Sequence, residues 1–163
     1  MLKKNRKYKL ISFRHLLKEY SPLLIILVSH SFLLNAYYPL TGIDVGYYSS
    51  RLLDLLLHFK NEDIFTTQWW TPSYGAGIPG FPSPVHYQYS VTPYLLLIFS
   101  PWVSTVLTYL IFNSLGYVLI LNYIKNHLGM RSEIAILAAV VFSTSGFWIC
   151  HSLVGHLSYH TFT

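Results

Sequence analysis

The sequence predicts an all-α integral membrane fold, with about three transmembrane helices and a long outer loop that carries an amphipathic helix. Three observations lead there. Only 10% of the 163 residues are charged and 53% are hydrophobic, where a soluble domain carries about 25% charge. Three stretches, 22–40, 102–124 and 133–150, are apolar and hold no charge beyond Glu133. Seven of the eleven basic residues (Lys3, Lys4, Arg6, Lys7, Lys9, Arg14 and Lys18) precede the first of these runs. The net charge of +5 is therefore a topology signal and not a nucleic-acid surface. The 14 Tyr and 10 Phe suit a chain working at a membrane–water boundary, where amphipathic rings anchor. The single cysteine, Cys150, cannot form an intrachain disulfide and lies in an apolar run, as a small buried hydrophobe does.

Residues 1–21 form the basic tail. Residues 22–40 match the ~20 residues a helix needs to cross the hydrocarbon layer. The run is longer than the apolar core of a signal peptide and ends without a small-residue cleavage site, so it is expected to be an uncleaved first span. Thr92 to Ile124 is uncharged and punctuated by Pro93 and Pro101. It divides into an interfacial or re-entrant segment, 92–101, and a second span, 102–124. A turn over 125–132 holds Lys125 and Arg131, and Ser132 is placed to cap a third span over 133–150. The positive-inside rule puts the tail and the 125–132 turn on the cytoplasmic side of the cell membrane. The loop 41–91 and the end 151–163 then lie outside.

The outer loop holds four of the six acidic residues, Asp44, Asp54, Glu62 and Asp63, and most of the turn formers. A connector between helices needs only a few residues, so a loop this long is expected to have a task. Within it, Leu52, Leu55, Leu56 and Phe59 recur at i, i+3, i+4 and i+7, one face of a helix, with Arg51, Asp54, His58 and Lys60 largely elsewhere. This helix either lies on the membrane surface or packs against the rest of the protein. Asp44 precedes it and is either its N-cap or a general base or metal ligand near the bilayer surface. The run from Trp69 to Pro84 is too rich in Gly and Pro for a long helix or strand. Trp69, Trp70, Tyr74 and His86 are the candidate substrate-binding residues. The paired Trp either stack on sugar faces or anchor at the interface.

His151, His156 and His160 follow the third span, and His156 and His160 share a helix face at i, i+4, a spacing that can hold a metal. No acidic residue lies nearby, so a metal would draw on Asp44 or another acid of the long loop. No P-loop, GxGxxG, GxSxG or HExxH motif occurs. His30 and Asn35 in the first span are expected to bond to neighbouring helices.

The order of features is a basic tail, a first span, an Asp just outside, an amphipathic helix, and a W-x-P-x-Y-G-x-G-x-P passage (Trp70 to Pro79). A Tyr/Pro-rich re-entry follows, and later Phe142-Ser-Thr-Ser-Gly-Phe-Trp-Ile-Cys-His-Ser-Leu-Val-Gly-His156. This resembles the start of multi-pass proteins of the GT-C glycosyltransferase superfamily, in particular the YfhO-like proteins and the membrane family labelled 6-pyruvoyl-tetrahydropterin synthase-related. The latter label implies no pterin chemistry here. The resemblance covers nearly the whole chain from about Pro22. It implies transfer of a sugar from a polyprenyl-phosphate carrier on the outer membrane face, with Asp44 as the catalytic acidic residue of the first outer loop, which activates the acceptor or helps bind a divalent metal. A divalent metal ion is the implied cofactor, with Asp44 and His156 as its candidate ligands.

Such enzymes have many more spans than three. The chain is therefore expected to be the N-terminal part, or one piece, of a larger protein, inactive alone and partnered by further membrane spans or a subunit. The alternatives are a non-enzymatic membrane transport or assembly component, with the loop as a docking surface, and an inactive fragment.

Overall fold

The computed structural model describes residues 13–34, 45–73, 75–81 and 88–146. The described chain is mostly helical: α1 (Phe13–Leu34), α2 (Val45–Asn61), α3 (Val91–Leu96), α4 (Pro101–Asn122) and α5 (Ser132–Ser143). A two-stranded antiparallel hairpin of β1 (Trp70–Thr71) and β2 (Ile78–Pro79) lies between α2 and α3. A π-helical turn, Tyr123–His127, extends α4. Two helices are long and apolar enough to cross a membrane, Phe13–Leu34 and Pro101–His127.

α1 starts at Phe13 rather than Pro22, so half of the expected tail is helical and Pro22 lies inside the helix. A proline there removes one N–H and opens the preceding turn. The carbonyl that loses its donor is that of Lys18; the hydroxyl of Tyr117 on α4 donates to the next one, Glu19, at 2.8 Å, and so ties α4 to α1 beside the proline.

α4 matches its expected span closely. Pro101 occupies the first turn after Ser100, where its missing N–H costs nothing. Ser132, expected as the cap of α5, is instead its first residue, and Arg131 holds the cap position without a side-chain bond. α5 has 12 residues and ends at the C-cap Thr144, about 18 Å at helical rise, so it stops short of the expected span over 133–150; residues 147–150 lie outside the described residues.

α4 is the central element. Tyr117 and Leu121 of α4 pack with Ile26 of α1 and with Ala135 and Ala139 of α5. The small residues bring α5 close: a methyl on Gly116 would lie 2.5 Å from the Phe142 ring. Val106 and Tyr109 pack on Leu34 at the other end of α1. The outward positions of these helices are apolar, among them Leu24, Ile25, Phe32, Leu115, Leu119, Leu137 and Val141. The buried ones include His30, Ser104, Thr108, Asn113 and Ser143. A bundle with a greasy exterior and polar positions inside is suited to apolar surroundings.

α2 does not lie free on a surface. Leu52, Leu55 and Phe59 pack with Leu96 of α3, and the helix also contacts β1 and α4. Arg51 and Asp54, off the leucine face, are buried, whereas Leu53 and Leu57 are exposed. Packing on the rest of the protein therefore covers the polar side of α2 as well as its apolar side.

Candidate functional site

The loop between α2 and α3 is held by a chain of specific bonds. After α2, Asp63 and Thr66 turn the backbone: the Phe65 N–H donates to Asp63 Oδ1 at 3.1 Å and the Thr66 hydroxyl to the Asp63 carbonyl at 2.7 Å. This brings the Thr66 carbonyl to His58 Nε2 at 2.8 Å. A carbonyl only accepts, so His58 carries a proton on Nε2. The fully buried Gln88 then clamps the loop to the segment before α3. Its Oε1 accepts the Gln68 N–H at 2.8 Å and its Nε2 donates to the Thr66 carbonyl.

The hairpin pairs Trp70 with Pro79 and Thr71 with Ile78. Gly77 takes φ +87, and a methyl there would lie 2.5 Å from Cε2 of Trp70. Only glycine allows both that backbone and that closeness. Trp70 thus lies over Gly77, while Trp69 makes an edge contact with Phe81 at 5.4 Å, and Phe81 another with Tyr89. With these different neighbours, Trp69 and Trp70, 66% and 52% exposed, do not form one paired platform.

Two charged residues of α2 lie against this unit. Asp54, 9% exposed, accepts the Ser73 N–H on Oδ2 at 3.0 Å, which fastens the hairpin to the helix. Arg51, 4% exposed, donates from Nη1 to the Tyr47 hydroxyl at 3.0 Å and lies 5.3 Å from the centroid of the Tyr47 ring. Its Nη2 is buried without a hydrogen-bond partner.

A second polar group lies in the helical bundle. His30 Nδ1 and the Tyr109 hydroxyl are 2.9 Å apart, and Asn113 Nδ2 donates to Tyr109 Oη and to the Ser143 carbonyl. This is the helix-to-helix bonding expected of His30; Asn35 lies outside the described residues. At the other end of α1, Glu19 pairs with Lys125 and lies 3.5 Å from His15 Nδ1, while Lys18 pairs with Glu133 at 2.9 Å.

Of the candidate site residues, Trp69 and Trp70 are described. Asp44, Tyr74, His86 and His156, with His151 and His160, lie outside the described residues. α2 begins at Val45, the residue after Asp44. No group of three or more His, Cys, Asp or Glu fit to hold a metal occurs among the described residues. Sequence reasoning passed over Arg51, Gln88, Tyr109 and Asn113. Arg51 and Asn113 did carry a signal: each is polar and borders an apolar helical stripe. No family model, no curated protein and no solved structure matches the chain.

Proposed function

We propose that the chain supplies the first spans and first outer loop of a GT-C-type membrane glycosyltransferase, working with further membrane spans. It would transfer a sugar from a polyprenyl-phosphate carrier on the outer membrane face. The observation that carries this reading is the specificity of the loop's construction. The Trp70–Pro79 passage that bears the resemblance is a hairpin requiring Gly77 under Trp70. It is tied through Ser73 and Asp54 to the helix that starts one residue after Asp44. A passive connector has no need of such constraints. The apolar exteriors of α1, α4 and α5 support insertion in a bilayer, and the basic N-terminal end supports a cytoplasmic N-terminus.

In this reading the acceptor hydroxyl attacks the anomeric carbon of the donor sugar. The bond from that carbon to the phosphate oxygen breaks, and the polyprenyl phosphate leaves with the bonding electrons. The Asp44 carboxylate takes the acceptor's proton. Trp69 and Trp70 each offer a ring to a sugar or to the interface. A divalent ion, held by Asp44 and His156, would stabilise the departing phosphate.

A second reading has one observation in its favour. α2 begins one residue after Asp44, and Asp is a favoured cap, so the role of Asp44 is also met by a purely structural residue in a non-enzymatic membrane component. Replacing Asp44 with Asn separates the two, because Asn caps a helix as well as Asp but cannot accept the proton. In membranes containing the complete multi-pass assembly, Asp44→Asn is expected to lower sugar transfer by about 100-fold or more. Undiminished transfer would remove Asp44 from the chemistry.

A further inference from the structure

We propose that the broken end of α5 binds an alkali-metal cation, held by Asn113 of α4 and Ser143 of α5. α5 stops at Ser143, and Thr144 leaves the helical region at φ −98, ψ 4. Ser145 is not helical, and Gly146 is helical again. The break lies about 17 Å from the start of α5, and Asn113 lies about 14 Å before the end of α4, at helical rise. Both therefore sit deep within the bundle. Interrupted helices at such depth recur where ions bind, because the last carbonyls of the half-helix have lost their intrahelical donors.

Three oxygens are open at the break. Asn113 Nδ2 donates to the Ser143 carbonyl at 3.1 Å and to Tyr109 Oη at 3.3 Å. A carbonyl only accepts, so the first bond fixes which way the amide points. That leaves Asn113 Oδ1 buried without a partner among the described residues, and Ser143 Oγ likewise. The hydroxyl is out of keeping with the rest of the bundle. Ser31, Thr105, Thr108, Ser114 and Thr144 each return theirs to the carbonyl one turn back. An amide oxygen and a hydroxyl are complementary, and these two residues already touch, yet the two groups do not bond each other. The Ser143 carbonyl adds a second lone pair.

The charge balance selects the ligand class. A helix C-terminus carries a partial negative charge, and no basic residue stands in the last turn of α5. Neutral oxygens answer a single positive charge, whereas a divalent ion draws on carboxylates, and no group fit to hold one occurs among the described residues. The buried face of α4 between its start and Asn113 is polar, with Ser104, Thr105, Thr108 and Tyr109, a suitable approach for an ion shedding water. The inference stands apart from sugar transfer, because it concerns an ion within the bundle.

The test is thermal unfolding of the full chain in a neutral detergent, in sodium, potassium or N-methylglucamine chloride at equal ionic strength, which equalises screening. We expect sodium to raise the melting temperature in a saturable way and the bulky organic cation to leave it unchanged. Ser143→Ala should need at least about tenfold more sodium for the same rise. Without sodium it should melt no lower than the wild type, since it removes a buried hydroxyl that has no partner. Ser114→Ala, which removes a bonded hydroxyl of α4, should keep the wild-type response. An equal rise with potassium supports an alkali-cation site that does not select by size. The proposal is overturned if the three salts give one melting temperature, which would mean a buried water only. It is also overturned if Ser143→Ala responds like the wild type, or if Ser114→Ala loses the response equally. Failure of Ser143→Ala to fold overturns it too, because the hydroxyl would then have a structural partner.

Discussion

The bundle of α1, α4 and α5 buries Glu19 at 4% exposure, and α2 buries Arg51 at the same 4%. The two charges are treated differently. Glu19 has the Lys125 ammonium as a partner and His15 Nδ1 at 3.5 Å. Among the described residues, Arg51 has a phenol and a ring face as its partners. The first arrangement closes on itself and ties α1 to the end of α4 across 106 positions of sequence. The second leaves a cation unanswered beside a loop that is otherwise well satisfied. Buried charge therefore ties the bundle together, whereas on α2 the Arg51 Nη2 has no hydrogen-bond partner among the described residues.

The largest expected effect breaks the closed side of this comparison. Lys125→Met strips Glu19 of its cation and should destabilise the chain by about 3–5 kcal/mol, read by thermal unfolding in detergent. Adding Glu19→Gln should recover most of that loss, because the cost lies in the uncompensated charge. If Lys125→Met is silent, the contrast with Arg51 disappears.

Next comes the loop side. Gly77→Ala places a side chain at φ +87 and against the Trp70 ring, and should cost the hairpin about 2 kcal/mol. The readout is faster proteolytic cleavage within 66–81 and altered tryptophan emission, with the bundle's own unfolding little changed. A third substitution, Gly116→Ala, pushes Phe142 away from α4 and should cost about 1–3 kcal/mol, this time in the bundle's melting temperature. The smallest effect is expected at Lys18→Ala. Its pair with Glu133 joins two exposed side chains, and such pairs contribute about 0.2–1 kcal/mol. A loss as large as that for Lys125→Met would show that burial is not what separates the two pairs.

Much of the helical framework was legible in the sequence because it rests on local signals. Uncharged runs, the proline before Trp102 and the leucine spacing of 52–59 located α4, α2 and the start of α3 within a few residues. The start of α1 was not legible. A proline reads as a boundary, yet Pro22 lies inside the helix, in a stretch that packs on α4 through contacts far along the chain. The hairpin was foreshadowed by its glycines, but the reason for Gly77 is the Trp70 ring across the turn. The burial of Arg51 and Asp54 was not legible, for the same kind of cause. Helical periodicity shows that they lie off the leucine face, yet whether that side meets water or protein depends on what folds over it.

By itself, then, the sequence determined the apolar helical character of the chain, the order of its elements and the concentration of basic residues at its beginning. These follow from composition and from periodicities of a few residues. Tertiary structure alone decided which polar groups are answered. Glu19 meets Lys125, His30 meets Tyr109, and Gln88 clamps the loop. Arg51 keeps an unpartnered Nη2. Hydrogen bonds and ion pairs form between atoms about 3 Å apart in space, and nothing local in the sequence records that distance.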